Sequence, residues 1–175
     1  MLGVGQSPEF LLPKLVDHFA RRLSRVGLGN IDVYRDFNDV RMVASAYARL
    51  LERGIPGEAY NVCTGQAYSI KDVLAMLAEL AGYRIEVDVN PAFVRANEVR
   101  RLVGCNRKLA AAIGELKLIP LAETLRWMYR AQVGLEGVKQ ARWFAERTLA
   151  PALFSGIATR NTLMNEPVVN LAEAN

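Results

Sequence analysis

Apolar residues first recur at Leu11, Leu12, Leu15, Val16, Phe19, Ala20 and Leu23, the three- and four-residue spacing of one helix face. Pro13 is tolerated in a first turn, and Gly27 is the expected stop. Residues 31–34 alternate weakly and predict a short strand that leads into Arg35-Asp36-Phe37-Asn38-Asp39. A second helix is predicted over 39–52, because Val40, Val43, Ala44, Tyr47, Leu50 and Leu51 form one stripe before Gly54 and Pro56. The short apolar run at 59–63, bounded by Gly57 and Gly65, predicts another strand. Ser69-Ile70-Lys71-Asp72 reads as a capping box with Asp in place of Glu or Gln, opening a helix through Val73, Leu74, Leu77 and Ala81 to Gly82. Apolar and acidic side chains alternate over 85–89, the pattern of a half-buried strand, until Asn90-Pro91. Asn106 is placed to cap a short helix carrying Leu109, Ala110 and Ile113, and Pro120 to start one through Leu121, Leu125 and Met128.

This alternation of helices and strands is an α/β pattern. It weakens after Arg130: a helix over 135–149 would lack a clean apolar stripe, and no period persists from 151 to 175. Two parts are therefore expected, 1–130 and a partly helical tail, 131–175.

Composition narrows the function classes. The chain has 175 residues, of which 51% are hydrophobic and 23% charged, which suits a folded domain burying roughly 70% of its unfolded surface. The two cysteines, Cys63 and Cys105, form no disulfide framework. With no secretory pattern after Met1, free thiols in a cytoplasmic setting are expected. No apolar run is long enough for a bilayer, so no membrane association is expected. A single histidine, His18, and no Cys-x-x-Cys argue against a structural zinc site, and His18 falls within a helical pattern rather than a triad. The net charge of +4 suits an anionic ligand without demanding nucleic acid.

Gly3-Val4-Gly5-Gln6 opens like a dinucleotide fingerprint but lacks the third glycine and a preceding strand. Nor does any tyrosine have a lysine four residues on. The residues there are Asn38, Leu51, Thr64, Asp72, Val87 and Val133. The stretch 95–108 is more informative, with Arg95, Arg100, Arg101, Arg107 and Lys108 against Glu98 alone. Guanidinium groups grip phosphate oxygens in a fork that ammonium cannot match, and a carboxylate beside them suits sugar hydroxyls. A solvated basic face is the alternative. Arg35 has a similar claim, against an ion pair with Asp36 or Asp39.

Three blocks carry a resemblance: residues 29–41 (Gly-Asn-Ile-Asp-Val-Tyr-Arg-Asp-Phe-Asn-Asp-Val-Arg), Ala59-Tyr60-Asn61-Val62-Cys63-Thr64-Gly65 with Ser69-Ile70, and Arg95-Ala96-Asn97-Glu98-Val99 followed by Gly104 and Lys108. Together they resemble the C-terminal half of extended short-chain dehydrogenases acting on nucleotide sugars, especially GDP-6-deoxy-4-keto-mannose reductases and GDP-mannose 4,6-dehydratases. The resemblance implies the C-terminal, substrate-binding part of an NAD(P)-binding Rossmann-type fold with an incomplete parallel sheet. It implies that Arg35 and Arg95 hold the diphosphate of a GDP-sugar, that Glu98 accepts hydrogen bonds from the nucleoside, and that Gln6 and Lys14 lie near the cleft. Val4 stands where the family has proline, and Cys105-Asn106 where it has Gly-Asp.

The family's glycine-rich cofactor loop and its Tyr/Lys pair have no counterpart in these residues. NADP or NAD, used by the full-length family, is therefore not expected to bind this chain alone, and no catalytic residue is assigned. A GDP-sugar is the expected small-molecule partner, with a separate cofactor-binding half or a homo-oligomer as protein partner, and no nucleic acid. In the relatives the strand carrying Tyr60 pairs within the sheet that has no counterpart here, which would leave an open edge. An anion-binding module for RNA or an acidic protein, or a nonfunctional remnant, are the other readings. The first is poorly served by aromatics, since Phe93 alone borders the basic stretch.

Overall fold

Side chains that alternate or recur in the sequence assemble here around two apolar clusters. A computed structural model describes residues 1–93 and 97–157, with side chains through Lys139. Contacts divide the chain into two units, 1–136 and 137–175, and in the second the described backbone is helical as far as Ile157.

Helix α1, Leu11–Ala20, buries Leu12, Pro13, Leu15, Val16 and Phe19. It stops well before Gly27. Arg22 takes a left-handed φ of 54°, and the Tyr83 hydroxyl donates to carbonyls at the helix end, the nearest being Leu23 at 3.2 Å. The early stop frees Arg25–Leu28 to form strand β1, which the sequence pattern did not announce because Gly27 reads as a terminator. Strand β1 pairs in parallel with a later strand, Glu86–Val89, from Arg25↔Glu86 to Leu28↔Val89.

Strand β2 is Tyr34–Arg35, shorter and later than the 31–34 expectation, because Asn30 Oδ1 takes the Asp32 amide at 2.9 Å and turns the chain first. It is the centre of a three-stranded sheet, antiparallel to β3 (Tyr68–Ser69) and parallel to Arg101–Leu102. Helix α2, Val40–Arg53, begins at the Asp39 cap, and helix α3, Ile70–Ala81, begins at the expected capping box, with Ser69 and Asp72 exchanging bonds at 2.8 and 3.1 Å. Strand β4 is Glu86–Val89. Ile85 and Val87 pack on the core while Val89 is exposed. Strand β5 is Arg101–Leu102, helix α4 is Arg107–Ile113 and helix α5 is Leu121–Ile157. Asn106 makes no side-chain cap; its Nδ2 donates instead to the Cys63 carbonyl at 3.1 Å.

The expected strand at 59–63 joins no ladder. Tyr60 and Val62 pack on Ala46, Leu109 and Ile113, the small cluster between α2 and α4, and no described strand lies alongside to pair with them. The main core unites α1, β1, α3 and the first turns of α5 through Leu15, Phe19, Val26, Val73, Leu77 and Leu125. These layers hold the ends of β1, β2 and β5 on a fixed support.

Candidate functional site

Arg35, on the central strand, is three-quarters buried and gripped from several sides. Its Nη1 donates to the carbonyls of Tyr34 and Val99, both at 2.8 Å, and its Nη2 lies 3.7 Å from Glu98 Oε1. Glu98 Oε2 is buried with no hydrogen-bond partner among the described residues. Such a carboxylate oxygen has the capacity to accept a further hydrogen bond.

The aspartates weighed as partners for Arg35 are engaged elsewhere. Asp36 accepts bonds from the amides of Thr64 and Gly65 and from the Thr64 hydroxyl. Asp39, 2% exposed, caps α2, is gripped by Arg41 at 2.8 and 2.9 Å, and accepts from Thr124 at 2.7 Å. Burial pulls its pKa upward, but the bonds from Arg41 and Thr124 outweigh that and hold the carboxyl below its ordinary value.

A cleft of about 280 Å³ opens beside Arg35 and Glu98, walled by Leu11, Leu28, Gly29, Asn30, Val33, Ile70 and Phe93. Its far wall depends on Gly29, where a Cβ would fall 2.6 Å from the Phe93 carbonyl oxygen. A second cleft of about 290 Å³, bordered by Asp36, Cys63, Leu102 and Gly104, also reaches Arg35. Gly104 is required there, since its Cβ would meet Cys63 Sγ at 2.5 Å. Burial and the Asp36 charge push the Cys63 thiol up, whereas the Arg107 amide and guanidinium hold exposed Cys105 below the usual thiol value.

The other expected site residues are placed as follows. Lys14 Nζ donates to the Gly27 carbonyl at 2.9 Å, one turn of α1 beyond cleft residue Leu11. Gln6 closes its own turn, accepting from the Gly3 amide at 3.1 Å and donating to the Met1 carbonyl at 3.0 Å. It borders a separate crevice with Pro13, Asp17 and Met128, away from Arg35. Arg95 lies outside the described residues. The neighbouring cations are dispersed: Arg101 lies over the Tyr34 ring, Arg107 beside Cys105, and Lys108 on Glu58 and over Tyr60. Gly29, Asn30, Val33 and Phe93 were not foreseen as cleft residues; only the position of Gly29-Asn30 just before a strand offered a signal.

The Gly3–Gln6 turn does not fit a dinucleotide. The Gly3 amide is spent on Gln6, and a Cβ at Gly3 would lie 2.7 Å from Val40 Cγ1, so the glycine serves packing against α2. Among the described residues no cluster of three or more His, Cys, Asp or Glu is placed to hold a metal ion, and no helix is long and apolar enough to cross a membrane.

An arginine, a carboxylate and apolar walls thus meet in one cleft at the strand ends of an α/β fold, the make-up of a small-molecule pocket. Comparison with known proteins makes this specific. The family model for GDP-mannose 4,6 dehydratase matches residues 4–128, and the chain belongs to that family of NAD-dependent epimerases and dehydratases. It is 37% identical over 130 residues to GDP-6-deoxy-D-mannose reductase of Pseudomonas aeruginosa, covering 71% of this chain and 43% of that protein. Against GDP-6-deoxy-D-talose 4-dehydrogenase of Aggregatibacter actinomycetemcomitans the figures are 32% over 131 residues, 74% and 45%.

Among solved structures, a protein from Burkholderia cenocepacia J2315, provisionally classed as an epimerase, is 56% identical with a TM-score of 0.74, over 75% of this chain and 44% of that one. The Pseudomonas aeruginosa RMD complex with NADPH is 34% identical with a TM-score of 0.71, over 76% and 46%. The fold is thus part of the Rossmann-type architecture of these enzymes. The chain spans less than half the length of the curated relatives it matches.

Proposed function

We propose that this chain binds a GDP-sugar, as the substrate-binding part of an NAD(P)-dependent GDP-4-keto-6-deoxy-mannose reductase or GDP-mannose 4,6-dehydratase-like protein, and is inactive alone. The observation that carries the reading is the pairing of Arg35 with Glu98 at the mouth of one cleft. In this reading the Arg35 fork, held by the Tyr34 and Val99 carbonyls, takes diphosphate oxygens, and Glu98 Oε2 accepts from a nucleoside hydroxyl. Leu11, Val33 and Phe93 exclude water from one side. Arg95 is the proposed second phosphate ligand; Lys14 lies one turn of α1 from the cleft, and Gln6, spent on its own turn beside a separate crevice, takes no part in this reading. In this reading residues 1–130 are the nucleotide-sugar part, and 131–175 are a partly helical tail to which it assigns no role.

NADP or NAD, bound by a separate cofactor-binding half, would bring the hydride chemistry. The residues described here bind and orient the sugar nucleotide. Two free cysteines fit a cytoplasmic setting. The dispersal of Arg101, Arg107 and Lys108 onto separate partners speaks against a phosphate-tracking RNA surface.

Calorimetric titration with GDP tests the reading. Wild type should bind, and Arg35→Ala should weaken binding about tenfold or more, in line with loss of a charge-assisted fork. No binding by wild type, or equal affinity in the variant, would overturn it.

A further inference from the structure

GDP-sugar binding uses neither cysteine, yet the fold brings the only two thiols of the chain, Cys63 and Cys105, together from distant segments. Contacts on both sides of Cys105 reach Cys63. Before it, a Cβ at Gly104 would lie 2.5 Å from Cys63 Sγ and 2.8 Å from Cys63 Cβ, so the two backbones run close together. After it, Asn106 Nδ2 donates to the Cys63 carbonyl at 3.1 Å. A residue bracketed in this way has its backbone held beside Cys63, which is what a disulfide requires, since bridged Cα atoms stand roughly 4.4–6.8 Å apart.

The frame around the pair is tied down. Asp36 accepts from the Thr64 and Gly65 amides, and its own amide donates to the Leu102 carbonyl at 3.1 Å, so one residue fixes both segments that carry a cysteine. Closing a bridge requires Cys105 Sγ to leave Arg107 Nε, which donates to it at 3.4 Å, by rotation of an exposed side chain. The two thiols also differ chemically. The Arg107 amide and guanidinium favour the Cys105 thiolate in solvent, whereas burial and the Asp36 charge keep Cys63 a thiol. An exposed thiolate beside a shielded thiol is the arrangement in which one sulfur meets an oxidant and the other resolves it.

We infer that Cys105 and Cys63 are a peroxide-responsive pair that closes reversibly into an intramolecular disulfide. The Cys105 thiolate attacks hydrogen peroxide: the S–O bond forms as the O–O bond breaks, and the departing hydroxide takes a proton to become water. Cys63 then gives its proton to solvent and attacks the Cys105 sulfenic sulfur. The S–S bond forms, the S–O bond breaks, and the hydroxyl leaves as a second water. In sum two thiols are oxidised by two electrons and one peroxide is reduced to two waters. A small thiol reverses the bridge by thiol–disulfide exchange. Both residues border the second cleft that reaches Arg35, or adjoin its Gly104 wall, so the oxidised form joins opposite sides of that cleft. The inference does not depend on GDP binding.

The test is stoichiometric hydrogen peroxide added to the fully reduced chain, read by intact mass and non-reducing peptide mapping, with circular dichroism to verify folding. Wild type should lose two hydrogens while remaining a monomer, yield a single Cys63–Cys105 linked peptide, and regain both thiols with dithiothreitol. Cys63→Ala should stop at the sulfenic acid and give several-fold more dimedone adduct on Cys105 than wild type. Cys105→Ser should leave Cys63 a free thiol. Bridges only between chains, a Cys105 that runs on to sulfinic acid while Cys63 stays reduced, no dimedone adduct in a folded Cys63→Ala, or wild-type oxidation of Cys63 in Cys105→Ser would each overturn the inference. If Cys63→Ala fails to fold, the wild-type peptide map and Cys105→Ser still decide it.

Discussion

Thr124 on α5 donates a 2.7 Å hydrogen bond to Asp39, the cap of α2, across 85 residues of sequence. The same carboxylate binds Arg41, whose guanidinium lies 4.2 Å from the centre of the Trp127 ring, so one buried acid ties two helices together. Removing it leaves Arg41 and Thr124 without their acceptor. Asp39→Ala should destabilise the protein by about 2–4 kcal/mol, combining loss of a cap with loss of a buried network. Urea unfolding measures this. A change within about 0.5 kcal/mol, typical of an inert surface site, would show the network contributes little.

Acid should act through the same residue. Its bonds to Arg41 and Thr124 overcome the upward pull of burial, so its folded-state pKa is below the ordinary 3.8. A depressed carboxylate pKa contributes stability that is present above the unfolded value and is lost as pH falls through the folded one. Wild type should therefore lose this contribution below about pH 4, whereas Asp39→Asn, weaker at neutral pH, should lack that part of the slope. Unfolding free energies measured from neutral pH down to about pH 3 should show the two proteins converging. Parallel curves would contradict the assignment.

Gly29 and Phe93 make a second structural test. A methyl at position 29 would meet backbone, the Phe93 carbonyl oxygen at 2.6 Å, which cannot rotate aside as a flexible side chain would. Gly29→Ala should cost about 1–3 kcal/mol and shift the Pro91–Phe93 turn. Thermal melts would read the first effect. Unchanged stability would mean that the turn yields freely.

What the sequence made legible follows from range. The stripes of α1 and α3, the Ser69 and Asp39 starts and the Pro120 start depend on neighbours within a few residues, and each appears, whereas α2 buries Met42, Val43 and Ala46 and leaves Ala44, Tyr47 and Leu51 of its expected stripe exposed. Strand β1 was hidden because Gly27 signals a stop locally and becomes a strand residue only through its distant partner Asp88. The strand expected at 59–63 had the right local pattern but no described neighbour to complete a ladder. Arg35 and Glu98 were recognised through the resemblance, yet their ion pair spans 63 residues, and spacing pointed to Asp36 or Asp39 instead. The cleft walls at Gly29, Val33 and Phe93 come from three separate segments, and no one-dimensional pattern links them.

The two thiols should differ in reactivity. Cys63 is buried and beside the Asp36 charge, which raises its pKa, while Cys105 is exposed with its thiolate favoured by the Arg107 amide and guanidinium. Iodoacetamide near neutral pH should label Cys105 first, by about tenfold or more, because the thiolate is the nucleophile. Peptide mapping reads the order. Arg107→Ala should slow labelling of Cys105 only in part, since the backbone amide remains. Faster labelling of Cys63 would show that the 102–106 segment opens readily over it.

Arg35→Lys separates charge from geometry. Lysine keeps the positive charge but has a single head group, so it cannot hold both the Tyr34 and Val99 carbonyls and still present a two-pronged face to a diphosphate. If the fork matters, Arg35→Lys should bind GDP nearly as weakly as Arg35→Ala, about tenfold below wild type. Added salt distinguishes the mechanisms further. A site working by charge alone should lose affinity steeply with ionic strength and be largely restored by lysine, because exposed charges are screened within about 10 Å at 0.1 M. A partly buried fork, with its guanidinium three-quarters shielded, should lose less. Calorimetry of the three proteins at low and high salt decides the matter: wild-type affinity in Arg35→Lys would reduce Arg35 to a point charge.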